Sequence, residues 1–242
     1  MSQRDTLFQN LSRHSAFKFD EHVVQVFEDM ISRSVPGYGL LLQMIGTITC
    51  EFSQPHSNYY DLGCSLGAST LAIRHQLDDS TSTIVAVDNS AAMIEQCQLN
   101  LNKDAGKVPV ELLCEDILSV TIEQAAIVVL NLTLQFIEPE QRLLLLERIY
   151  HGLKPGGVLV LSEKVQYADP LQQQKLEQLY YGFKKSQGYS ELEISAKRNA
   201  LENILQPESF QQHQARLQQA GFAEIYPWFQ CFNFQSILAI KS

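Results

Sequence analysis

Tyr59-Tyr60-Asp61-Leu62-Gly63-Cys64-Ser65-Leu66-Gly67-Ala68 is the stretch that sets the architecture of this 242-residue chain. It starts on a β-prone tyrosine pair, passes an acid and two spaced glycines, and leads into an apolar helical pattern from Thr70 to Leu77. A chain that turns this sharply from strand to helix needs residues free to adopt positive φ and to let a ligand approach the backbone. The N–H groups of the following helix start point into the same crevice. That arrangement suits a nucleoside-bearing cofactor, and the spacing decides which.

A dinucleotide fingerprint wants Gly-x-Gly-x-x-Gly. The matching positions here hold Gly63, Ser65 and Ala68, a poor fit. Asp-x-Gly-x-Ser-x-Gly agrees better with the S-adenosylmethionine-binding loop, acidic-x-Gly-x-Gly-x-Gly, with Ser65 in place of the middle glycine. Taken alone, the loop also reads as a tight turn without a ligand. Its surroundings argue otherwise. Thr83 to Val87 is an apolar β-branched run ending in Asp88-Asn89, where an acid can accept both ribose hydroxyls. Val110 to Cys114 leads to Glu115-Asp116-Ile117, offering a carboxylate for an adenine amino group and an aliphatic side chain for the ring face. Ala126 to Leu130 ends in Asn131, and the turn Leu153-Lys154-Pro155-Gly156-Gly157 opens a fifth strand, Val158 to Glu163. Asp88, Asp116 or Asn131 alone is equally a helix cap or turn residue. Their succession at strand ends marks a site, because ligands of open α/β sheets sit beyond the carboxyl ends of the strands.

The bulk numbers bound the rest. The length fits one α/β domain, residues 1–242, with a sizeable core, and 45% hydrophobic against 19% charged residues is ordinary for a soluble globular chain. No apolar run approaches the roughly 20 residues that span a bilayer. The polar start Met1-Ser2-Gln3-Arg4-Asp5 lacks the apolar core of a signal peptide, so a cytoplasmic, non-membrane location is expected. Five scattered cysteines without Cys-x-x-Cys, and six histidines without ligand spacing, point to a reducing compartment and no metal. A net charge of −9, with 18 basic against 27 acidic residues, is a poor endowment for gripping phosphates, so direct nucleic-acid binding is not expected.

Residues 1–55 read as a helical leader. Phe19, Val23, Val26, Phe27 and Met30 recur at helical spacing, Val35-Pro36-Gly37-Tyr38-Gly39 turns, and Leu40 to Cys50 forms a second helix. Such a pair either lids the cleft or packs on the sheet edge. From Tyr59 to Glu163 strands and helices alternate, implying a parallel sheet covered on both faces. Residues 165–206 break that rhythm as a helical insertion. A helix from Glu208 to Ala220 follows, and then two β-rich runs, Ala223–Gln230 and Phe234–Ile240, too close together for anything but antiparallel pairing. The expected fold is therefore α/β: a Rossmann-like, seven-stranded, mostly parallel sheet closed by an antiparallel hairpin.

This plan resembles the class I S-adenosylmethionine-dependent methyltransferases. Phe17-Lys18-Phe19-Asp20, Val35-Pro36-Gly37-Tyr38, Asp61 to Ser65, Val129 to Phe136 and Trp228 to Phe234 more closely resemble the carboxy-S-adenosyl-L-methionine synthase family. That resemblance implies an enzyme that converts S-adenosyl-L-methionine and prephenate into carboxy-S-adenosyl-L-methionine and phenylpyruvate. A separate tRNA-modifying enzyme then uses the product to build 5-oxyacetyl groups on wobble uridines. It implies a homodimer, and a cofactor pocket lined by Tyr38, Gly63, Cys64, Ser65, Asp88, Asn89, Asp116, Ile117 and Asn131. It also implies that Arg198 holds the added carboxylate, a task for which a guanidinium fork is suited. Read from its own surroundings, Arg198 is a solvated helix residue one turn from Glu202. In the scheme implied for the family, prephenate aromatises with release of carbon dioxide and hydroxide. Hydroxide takes a proton from the sulfonium methyl, and the ylide captures carbon dioxide. This asks for confinement more than for a tuned base, and the sequence offers no convincing His/Glu or Cys/His constellation. Cys64 lacks an activating base and is not expected to act as a nucleophile. The alternatives are a conventional small-molecule or tRNA methyltransferase and a non-catalytic cofactor-binding protein.

Overall fold

The computed structural model describes residues 3–7, 20–78, 81–201 and 204–242, without the side chains of 200 and 201. Five strands alternate with helices: β1 (Asn58–Leu62), β2 (Thr83–Asp88), β3 (Val110–Cys114), β4 (Ala125–Asn131) and β5 (Leu153–Lys164). The intervening helices are α3 (Ala68–Arg74), α4 (Ala91–Leu101) and α5 (Pro139–Gly152), and the leader before them contributes α1 (Glu21–Ser34) and α2 (Tyr38–Phe52). After β5 come α6 (Pro170–Ser186), α7 (Glu191–Leu201) and α8 (Phe210–Ala220), then β6 (Glu224–Cys231) and β7 (Phe234–Ile240). The seven strands lie in the order β3-β2-β1-β4-β5-β7-β6. The first five run parallel, while β7 is antiparallel to both β5 and β6.

The central strands are largely apolar because both faces of a parallel sheet are covered. Successive side chains point to opposite faces. Tyr59, Ile84, Ile127, Val129, Val158 and Val160 therefore pack with Leu41 and Ile45 of α2 and Ile73 of α3. Tyr60, Val85, Val128, Leu130, Leu159 and Leu161 face Leu145, Leu146 and Ile149 of α5 and Leu217 of α8. Chain direction reverses sides between β1 and β4, so a crevice opens at the carboxyl ends of β1, β2 and β4.

Two local features differ from expectation. The Leu153–Gly157 stretch is the irregular opening of β5 rather than a separate turn. Leu153 pairs with Ala125, the register then shifts, and a Cβ on Gly157 would sit 2.9 Å from the Ala125 carbonyl oxygen. Helix α3 stops at Arg74, three residues short of the expected end, although Leu77 still packs into the core.

In the leader, Asp20 caps α1 by accepting from the His22 and Val23 N–H groups. The predicted stripe of Val23, Val26, Phe27 and Met30 is buried, whereas Phe19 lies outside the described residues, as do Phe17 and Lys18. Val23, Phe27 and Met30 pack on Met93 of α4 and against Leu66 of the glycine loop, so α1 lies over the loop itself. Between α1 and α2 the chain bends at Gly37, whose φ of 78° suits glycine and whose Cβ would meet Phe229 at 2.8 Å.

Candidate functional site

The loop between β1 and α3 is locked in a form that glycine permits. Gly63 and Gly67 have φ near +86° and +85°; a Cβ on the first would stand 2.4 Å from Thr133 Oγ1 and on the second 2.6 Å from Cys97 Sγ. Ser65, where the usual motif carries glycine, also adopts positive φ, 49°, a strain of order 1 kcal/mol that the surroundings must hold. They do so with hydrogen bonds. The N–H groups of Gly63 and Cys64 donate to the Val87 carbonyl, and the Ser65 N–H donates to Asp88 Oδ2 at 2.9 Å.

Asp88 thus ties the end of β2 to the loop, its other oxygen accepting from the Ser90 N–H at 2.9 Å. Each oxygen keeps acceptor capacity for a diol. Burial raises its carboxyl above the usual range, against the hydrogen bonds from Ser90 and Ser65. Asp61, at the end of β1, is 1% exposed and accepts a 2.6 Å hydrogen bond from Thr70 Oγ1. Burial pushes its pKa up to about 6, the Thr70 bond opposes the shift, and the Asp88 charge adds to it. Tyr38, opening α2, feels the same Asp61 charge, and its phenol is raised first by burial and then by that charge. The Asp61 and Asp88 carboxylates therefore concentrate negative potential at the crevice, and the Tyr38 phenol stays neutral beside them, which favours a cationic sulfonium and ammonium ligand.

At the end of β4, Asn131 Nδ2 donates to Ser69 Oγ at 3.0 Å, while its buried Oδ1 has no hydrogen-bond partner among the described residues. Such an orphan calls for a donor, and the ammonium of a methionine moiety is one. The next residue, Leu132, adopts φ of 64°, uncommon for a bulky side chain. Buried Glu163 of β5 holds that bend by accepting from the N–H groups of Leu134 and Gln135, both at 2.9 Å. Burial nonetheless lifts its pKa to about 8, opposed by those two N–H groups and the Arg142 charge. Glu163 escapes sequence reading because its partners lie 28 and 29 residues away; the single signal is an acid closing an apolar strand.

The remaining predicted residues fall as follows. Asn89 is exposed beside Asp88, and Asp116 is exposed beyond β3, accepting from the Leu118 N–H at 2.9 Å in a local turn. Ile117 is 6% exposed and packs into the main core. Cys64 is buried in the loop, and its thiol is pushed up by a hydrogen bond with Cys97 and by burial, which disfavours a nucleophilic thiolate. Arg198 is exposed on α7, while its neighbour Lys197 is buried. Its sequence neighbour Glu202 lies outside the described residues. No described helix is long and apolar enough to cross a membrane.

Comparison with known proteins agrees with this geometry. Residues 60–157 match the methyltransferase domain family. Human N-acetylserotonin methyltransferase, solved in complex with S-adenosylmethionine, superimposes with a TM-score of 0.61 at 20% identity, over 91% of this chain and 55% of that one; at that identity it speaks for the fold. A carboxy-S-adenosyl-L-methionine synthase from Hahella chejuensis is 53% identical over 244 residues, 98% of each chain. Another, from Trichlorobacter lovleyi, is 57% identical over 226 residues, 93% of each chain. On this near-full-length identity the chain belongs to the carboxy-S-adenosyl-L-methionine synthase family.

Proposed function

We propose that the chain converts S-adenosyl-L-methionine and prephenate into carboxy-S-adenosyl-L-methionine and phenylpyruvate, and that a separate tRNA-modifying enzyme uses the product for 5-oxyacetyl modification of wobble uridine. The observation that carries this reading is the set of acceptors around the glycine loop: Asp88 tied to the Ser65 N–H, and Asn131 with an unfilled buried Oδ1. They are of the right kind for the ribose hydroxyls and the ammonium of the donor, in a chain so similar to proteins bearing that name. Bound there, the donor supplies a methyl carbon made acidic by its sulfonium.

The residues of the chain then have three tasks. Asp88 and Asn131 orient the adenosyl and amino-acid ends, and Asp116 and Ile117 attend the base. The α1 cover over Leu66 and Met93 limits water, so that carbon dioxide and hydroxide released by aromatisation are consumed in place rather than lost. Arg198 receives the new carboxylate. Because Arg198 is exposed within one chain, this task belongs with a homodimer in which the α6–α7 insertion meets a second subunit. That face carries Leu171, Leu179 and Leu192, each more than half exposed, which supports an apolar contact. The expected location is the cytoplasm.

The test is incubation with S-adenosylmethionine, with and without prephenate, followed by mass spectrometry. A donor heavier by one carbon dioxide, together with phenylpyruvate, is expected only with prephenate. Accumulation of S-adenosylhomocysteine instead would identify a conventional methyltransferase. Light scattering checks the dimer.

A further inference from the structure

Cations and aromatic rings alternate through the helical insertion. The Tyr180 ring has Lys164 Nζ and Lys184 Nζ each 5.4 Å from its centroid. The Tyr189 ring has Lys184 Nζ at 5.7 Å, Lys197 Nζ at 5.4 Å and Arg33 Cζ at 4.1 Å. One end of this ladder is buried among anions. Arg33 pairs with Asp29 at 2.9 Å, and Lys197 donates to Ser34 Oγ at 2.7 Å with Asp5 Oδ2 3.9 Å away. Asp5 also accepts from the Tyr189 hydroxyl at 2.5 Å.

The other end meets the cofactor crevice, and its two ammoniums have no directly paired carboxylate among the described residues. Lys164 is the last residue of β5, two positions past the Ser162 that pairs with Asn131. Tyr180 packs in a small cluster with Val35, Phe234, Leu132 and the candidate cofactor residue Tyr38. Neither Lys164 nor Lys184 forms a salt bridge among the described residues. Glu177, the anion that acts on Lys164, is engaged by the Gln173 amide at 2.7 Å. Lys184 is 4% exposed; burial, then the Lys164 charge, hold its ammonium down at about 8, opposed only by the Asp5 carboxylate, which is already bonded to the Tyr189 hydroxyl. The tyrosine face offsets part of this cost, but two sheltered ammoniums sharing one ring are costly to stability unless an anion joins them.

We propose that Lys164 and Lys184, on either side of Tyr180 at the rim of the cofactor crevice, form the site that binds a carboxylate of the second substrate. The inference rests on the reading under Proposed function and deepens it. Prephenate has two carboxylates with opposite fates. The ring carboxylate breaks its C–C bond and leaves as carbon dioxide, and an ion pair would stabilise its charge and oppose that loss. The carboxylate of the 2-oxo acid arm persists into phenylpyruvate, so it is the one the lysines hold. Partly exposed Leu132, packed beside Tyr180, then offers apolar surface to the ring.

The test uses the full chain with Lys164→Met and Lys184→Met, and the matching Lys→Arg variants. With saturating S-adenosylmethionine, each methionine variant is expected to raise the KM for prephenate about 10–100-fold. The Kd for S-adenosylmethionine should stay within about twofold, and arginine should restore most of the loss. Lys184→Met without ligand should melt at or above the wild-type temperature, since it removes a buried charge that has no directly paired carboxylate; should it fail to fold, the less deeply buried Lys164 carries the same readouts. A prephenate KM within about threefold of wild type in the folded methionine variants, or a parallel loss of S-adenosylmethionine affinity, overturns the proposal. Failure of the underlying reading shows separately, as wild-type protein that forms no carboxylated donor. In that case calorimetric titration of phenylpyruvate into protein loaded with S-adenosylmethionine decides: uptake lost in Lys164→Met upholds the anion site, and no uptake by wild type refutes it.

Discussion

Asp61 is a carboxylate kept for its charge at the expense of stability, and Asp61→Asn measures that expense. Burial, with the nearby Asp88 charge, raises its pKa from 3.8 to about 6. A carboxyl raised on folding leaves stability intact below the unfolded pKa and removes it as pH rises through the folded one. At about 1.4 kcal/mol per pH unit, ionised Asp61 costs the ligand-free protein about 3 kcal/mol above pH 7. Roughly half of that is already gone at pH 5, so about 1.4 kcal/mol disappears between pH 5 and pH 8. Asparagine keeps an oxygen for the 2.6 Å bond from Thr70 Oγ1 and carries no charge. The melting temperature of Asp61→Asn, relative to wild type, should therefore climb by about 3–6 °C from pH 5 to pH 8. Over the same range its affinity for S-adenosylmethionine should be lower than wild type at pH 8, because the cationic ligand loses a facing charge. Scanning fluorimetry without ligand, paired with calorimetry, reads both. A constant melting difference at the two pH values would refute the reasoning and make Asp61 an ordinary structural acceptor.

Gly63→Ala should weaken S-adenosylmethionine binding at least about tenfold and lower stability by about 1–3 kcal/mol, since its Cβ would lie 2.4 Å from Thr133 Oγ1 at positive φ; calorimetry and urea melts check this. Arg142 is 0% exposed, bonded to Glu208 at 2.5 Å and to the carbonyls of Ile137 and Gln206. Arg142→Met should cost about 3–5 kcal/mol in denaturant titration while leaving donor affinity in the folded protein unchanged. Arg198→Ala should retain S-adenosylmethionine and lose the copurifying carboxylated donor, seen by mass spectrometry of extracted ligand; equal loss of both would make Arg198 structural.

Much of this architecture is legible in local chemistry. Strands β2 and β4 are short apolar runs ending on Asp88 and Asn131, and the glycine spacing of Gly63 and Gly67 forecasts the positive φ found there. Elements whose limits depend on distant partners are less legible. Pro155-Gly156-Gly157 has the composition of a turn, yet the Gly156 N–H donates to the Lys241 carbonyl and the stretch is drawn into β5. Glu163 looks like the end of a strand until the N–H groups of Leu134 and Gln135 are brought to it. Lys184 and Lys197 look like solvated positions in a Gln- and Lys-rich insertion, and are buried because Asp5 and α1 close over them. The acids at strand ends were legible as a group, whereas the inward turn of Asn131 Oδ1 needed the surrounding helices.

Strand order has a consequence for biosynthesis. Strand β7 is translated after β6 but lies between β6 and β5, so β6 has no neighbour in the sheet until the residues around Phe234–Ile240 have left the ribosome. During that interval β5 presents an open row of amides flanked by Leu159 and Leu161, a ready template for pairing with another nascent copy. A premature stop after Cys231 should therefore yield aggregates rather than a smaller folded protein, and demand for chaperones should peak late in synthesis.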